Sequence, residues 1–73
     1  MALLTIKSEI TGTVWKIAAQ VGETVAADAD IIILESMKME IPVSVPSAGV
    51  ITQILVQEGD VVQEGQILAV LEA

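Results

Sequence analysis

Short apolar runs, broken by glycine and acidic residues, divide the chain into eight segments. The pattern predicts strands near 3–8, 12–17, 24–26, 31–36, 39–45, 49–56, 61–63 and 67–71. Gly22-Glu23 and Gly59-Asp60 supply permissive backbone for tight turns. Ile41-Pro-Val-Ser-Val45 alternates as a half-buried strand does. Pro42 and Pro46 fall on the outward parity, which suits an edge strand. Residues 23–41 contain neither Gly nor Pro, so a helix from Ala26 to Glu40 competes, with Ile33, Met37 and Ile41 on one face. Three consecutive isoleucines and the strand-like counterpart at 67–71 favour the strand reading.

A shift of 37 positions aligns the two halves without a gap. Gly12 falls on Gly49, Ile17 on Ile54, Gln20 on Gln57, Gly22 on Gly59, Val25 on Val62, Leu34 on Leu71 and Glu35 on Glu72. Both glycines and both following acids keep register, so this is a duplicated unit rather than chance matching of apolar strands. The predicted fold class is all-β: two four-stranded antiparallel sheets packed as a flattened barrel-sandwich with pseudo-twofold symmetry, in one domain over 1–73.

Composition narrows the function. Three lysines face ten carboxylates, for a net charge of −7, and no basic stripe exists to neutralise nucleic-acid phosphates. Cysteine and histidine are absent, which removes thiolate and imidazole chemistry. The longest apolar run, Ile67–Leu71, is far short of the about 20 residues of a membrane-spanning helix. The opening Met-Ala-Leu-Leu-Thr-Ile-Lys has no secretory pattern, so the expected location is cytoplasmic, with no membrane partner. Phe and Tyr are absent, and the expected core is aliphatic around Trp15, the single aromatic residue.

Lys38 lies between the repeat halves, inside Glu35-Ser36-Met37-Lys38-Met39-Glu40. With 31–36 and 39–45 paired, it sits in the connecting turn. Subtracting 37 gives Met1, and adding 37 passes Ala73, so the chain ends should occupy the opposite pole. An ordinary charged turn, with Glu35 or Glu40 near the lysine, is the plain alternative, worth well under about 1 kcal/mol. Two methionines at an expected turn weigh against it, because such tips are normally polar and soft Met suits surfaces that partners read.

Glu35-Ser-Met-Lys-Met-Glu-Ile resembles the attachment motif of the biotinyl/lipoyl domain family, in particular the Met-Lys-Met of its biotin carriers. Gly12-Thr-Val-Trp, Val21-Gly-Glu-Thr-Val, Pro46-Ser-Ala-Gly-Val and Glu58-Gly-Asp-Val-Val-Gln-Glu-Gly-Gln-Ile-Leu extend the resemblance over nearly the whole chain. It implies that Lys38 takes covalent biotin from a biotin protein ligase. Met37 and Met39 would be recognition flanks, and Glu35, Ser36 and Glu40 the motif context. The carrier would then serve biotin carboxylase and carboxyltransferase subunits. Lipoyl members usually show Asp-Lys-Ala, so the methionines favour biotin, with lipoate and a lipoate ligase as the alternative. An unmodified barrel-sandwich assembly module is the other alternative. Three departures stand out. Asp28 replaces a frequent glycine, where a strained but equivalent turn is expected. Val45 replaces alanine. Neither the protruding thumb of some bacterial carriers nor a long Pro/Ala linker is expected, so the carrier should diffuse as a free subunit or be held by a partner, unless the chain is an excised domain.

Overall fold

The computed structural model describes residues 2–73. Eight strands follow in order: β1 (Leu3–Lys7), β2 (Gly12–Ile17), β3 (Thr24–Val25), β4 (Asp30–Ser36), β5 (Met39–Ser44), β6 (Gly49–Ile54), β7 (Val61–Val62) and β8 (Ile67–Glu72). They form two four-stranded antiparallel sheets, β1-β8-β6-β3 and β5-β4-β2-β7. The expected architecture is therefore observed, and the helix over 26–40 is not formed. Bulk explains that choice. A register shift between Asp30 and Ile32 lets both Ile31 and Ile32 reach the interior at 0 % exposure, which strict alternation would forbid.

Each sheet takes two strands from each half of the repeat, so neither half closes a sheet by itself. The hydrogen bonds that lock the halves occur in matched pairs. Gly22 N–H donates to the Ile51 carbonyl (2.7 Å), and Gly59 N–H to that of Val14 (2.8 Å). Within each half, Ala18 N–H donates to Ile31 (2.8 Å) and, at the matching place, Leu55 N–H to Leu68 (2.8 Å). Asp28 N–H donates to Val45 (2.9 Å), and Gly65 N–H to Ser8 (2.7 Å). Asp28 has φ 66° and Gly65 φ 86°, so the expected strained but equivalent turn is present.

The hydrophobic core is aliphatic and is led by Val14, Ile31, Ile32, Leu34, Ile51, Val62, Leu68 and Leu71, with Ser8 buried beside it as a polar residue. Trp15 is not part of it: the indole is 48 % exposed. Val14 takes the inward position on β2, a register shift follows it, and Trp15 is left on the outer face. Its repeat counterpart is Thr52, a polar residue at the same kind of register shift in β6.

Candidate functional site

β4 and β5 form a hairpin whose last rung is Ser36 opposite Met39. Only Met37 and Lys38 remain to turn the chain, and both have positive φ, 53° and 64°. Two left-handed residues make a type I′ turn, the connection whose twist matches a hairpin. Asn-Gly normally fills it. Two bulky L-residues there cost about 1–2 kcal/mol each. The turn is held by six ladder pairs behind it, from Asp30–Ser44 to Ser36–Met39.

The result is a lysine on an ordered tip. Lys38 is exposed, Met37 is 89 % exposed and Met39 58 % exposed. The methionines are therefore surface residues, not strand-end core. Glu35 and Glu40 lie directly opposite one another one rung below the tip. Like charges so placed repel, and the lysine beyond them is the nearest cation in sequence. Glu35 also pairs with Thr13 of β2, and Thr13 with the exposed Val61 of β7. The hairpin thus brings together all six residues singled out from the sequence.

Trp15 of β2 and Val61 of β7, both exposed, were not legible as surface residues from the motif. The repeat alignment carried a signal for Trp15, since Thr52 is its counterpart. The tip offers a primary amine with no wall around it, no group of three or more metal-ligating side chains is found among the described residues, and no helix is long and apolar enough to cross a membrane. Such an arrangement can present an amine for acylation but holds no partner groups with which to catalyse anything itself.

The family model described as "Biotin-requiring enzyme" matches residues 4–71. The chain belongs to the biotin/lipoyl attachment family. It is 35% identical over 65 residues to the biotin/lipoyl attachment protein of Bacillus subtilis, covering 89% of each chain. It is 43% identical over 61 residues to the dihydrolipoyllysine-residue acetyltransferase component of the Haemophilus influenzae pyruvate dehydrogenase complex, covering 84% of this chain and 11% of that one. The structure of Kluyveromyces lactis urea carboxylase superposes with a TM-score of 0.93 at 38% identity, covering 99% of this chain and 6% of that one. The chain thus spans most of a free-standing attachment protein but a small part of the large enzymes. A biotin/lipoyl attachment domain is a cofactor carrier, not a catalyst, and the exposed, well-ordered amine fits such a cofactor.

Proposed function

We propose that the attachment domain over 1–73 carries biotin in amide linkage on Lys38 in the cytoplasm. The observation that carries this reading is the hairpin: a single lysine held in a left-handed turn and flanked by two exposed methionines. A biotin protein ligase supplies biotin as the acyl adenylate. The Lys38 amine attacks the acyl carbon, the N–C bond forms, the C–O bond to AMP breaks, and the amine proton passes to a base on the ligase. An ordinary lysine amine is mostly protonated at neutral pH, and no histidine exists here to deprotonate it, so that base belongs to the ligase. Acylation takes the chain from −7 to −8.

Held in amide linkage by Lys38, the group would supply carboxylate transfer between two partner enzyme sites. The chain's own contribution is mechanical. The strained turn fixes where the arm begins, and the rigid sandwich limits the entropy lost on docking. Tethering keeps the cofactor at high effective concentration for partner sites. The partners are biotin carboxylase and carboxyltransferase subunits, and Met37 and Met39 are read by the ligase. The acidic surface steers the carrier to basic docking faces, an attraction that falls with salt.

Co-expression with a biotin protein ligase, followed by intact mass, tests the reading. The expected product carries one biotinyl group, and Lys38→Ala removes all labelling without a change in melting temperature. Labelling that survives in Lys38→Ala would sink the assignment. The likeness to a dihydrolipoyllysine acetyltransferase favours lipoate as the second reading, and a lipoyl mass increment with a lipoate ligase would select it. Failure with both ligases would select the unmodified assembly module.

A further inference from the structure

β5 is an edge strand with only β4 beside it. Its inward side chains Ile41 and Val43 are only half-buried, whereas Ile6, the repeat counterpart of Val43, is 5 % exposed. The uncovered flank is a cleft of about 250 Å³. Leu34, Ile41 and Val43 form its aliphatic floor, and Lys7 and Glu9 stand among its polar lining groups. Leu34 and Ile41 pair with each other two rungs below the Ser36–Met39 closure, on the same side of the hairpin. The cleft therefore begins beneath the lysine tip.

We propose that this cleft is a resting site for the head group of a biotinyl arm on Lys38; the inference rests on the attachment proposed above. Reach allows it. About eleven single bonds separate the lysine Cα from the biotin ring, roughly 13 Å when extended. Ile41 and Val43 lie three and five residues from Lys38, roughly 10 and 17 Å along an extended strand. The ring falls between them. Chemistry also matches. The thiophane portion meets the aliphatic floor, the ureido N–H groups find the Glu9 carboxylate, and the ureido carbonyl finds the Lys7 ammonium.

The backbone that carries Glu9 is anchored through the residue before it. The neighbouring Ser8 is 2 % exposed; its hydroxyl donates to the Ile10 carbonyl (2.5 Å), its N–H donates to Gln66 (2.8 Å), and its carbonyl accepts from Gly65 (2.7 Å). The carboxylate is not a by-product of the duplicated fold, because the counterpart of Glu9 is Pro46. Lys7 is one of only two cations besides Lys38 in a chain of ten acids. A dithiolane head group has neither N–H nor carbonyl and would leave both polar groups unused. Because the arm is tethered, weak intrinsic affinity is enough to populate the site.

The test uses the whole protein. Intact mass reports labelling and so judges the attachment reading alone. In biotinylated protein, nuclear Overhauser contacts are expected between the ring protons and the methyls of Leu34, Ile41 and Val43. In unlabelled protein, millimolar biotin amide is expected to shift those same methyls, so the cleft is judged even if labelling fails. If about two-thirds of the arms rest in the cleft, streptavidin capture is slowed about threefold, and a Lys7→Ala/Glu9→Ala double variant recovers that factor. Lipoylated protein is expected to show no such contacts. A ring that tumbles as freely as biotinyl-lysine, methyls indifferent to biotin amide, or a capture rate unchanged in the double variant would overturn the proposal.

Discussion

The pole that carries Lys38 and the pole where the chain ends are copies of one ladder. Glu35 opposite Glu40 corresponds to Glu72 opposite Leu3. Ser36 opposite Met39 corresponds to Ala73 and Ala2, which exchange N–H to carbonyl bonds at 3.2 and 2.8 Å. Met1, the counterpart of Lys38, lies outside the described residues. The fold therefore builds two equivalent tips, and chain continuity turns one of them into a closed hairpin. Backbone geometry is common to both poles; the covalent turn, the methionines and the lysine belong to one. A duplicated scaffold gives rigidity, and the departures from its symmetry mark where chemistry is added.

Six substitutions, in four groups, sharpen that comparison, taken from the largest effect to the smallest. Gly12 and Gly49 are counterparts at opposite poles. A Cβ at Gly12 would stand 2.7 Å from the Glu35 carbonyl oxygen, and one at Gly49 would overlap that of Glu72. Both obstacles are backbone, so alanine should cost about 1–3 kcal/mol, with Gly49→Ala the worse. Chemical denaturation measures both, and equal, negligible losses would show that the ladder ends can splay.

Asp28 and Gly65 fill the same left-handed position in two equivalent turns. Gly65→Asp should cost, and Asp28→Gly should gain, about 0.5–1 kcal/mol. At this chain length 1 kcal/mol moves the melting temperature by about 4–8 °C, so calorimetry resolves the pair. Effects of the same sign would mean that the two turns are not equivalent.

Met37→Gly relieves one left-handed side chain and should stabilise by about 0.5–1 kcal/mol. The same change should lower ligase kcat/KM, separating the methionine's value to a partner from its cost to the fold. A stability loss would place Met37 in the packing, against its exposure.

Trp15→Thr installs the residue of the twin sheet. The expected change is within about 0.5 kcal/mol, as for other surface positions, where a core tryptophan would cost about 3–5 kcal/mol on truncation. Urea melts followed by circular dichroism, not by the lost indole, decide the point.

Much of the site was legible from the sequence because it is local. Met37 and Lys38 lie between two runs whose pairing fixes the turn, and the offset of 37 sent the termini to the other pole. The left-handed torsions were not legible, since Met-Lys is a poor match to the Asn-Gly that normally announces a type I′ turn. Trp15 reads as core by its size, but it follows the inward-facing Val14 at a register shift and so faces outward. The cleft was invisible for another reason: Glu9 and Val43 are far apart in sequence and meet only when two edges of different sheets come together.

By itself the sequence determined the strands, their turns, the duplication and the residue presented at the tip. Those depend on the backbone needs of glycine, on alternation and on spacing, all of which act over a few neighbouring residues. Only the tertiary structure decided that the halves exchange strands, which faces the register shifts turn outward, and where the sandwich stays open beside its lysine. Those outcomes depend on how two aliphatic surfaces fill space against each other, and no short stretch of chain carries that information.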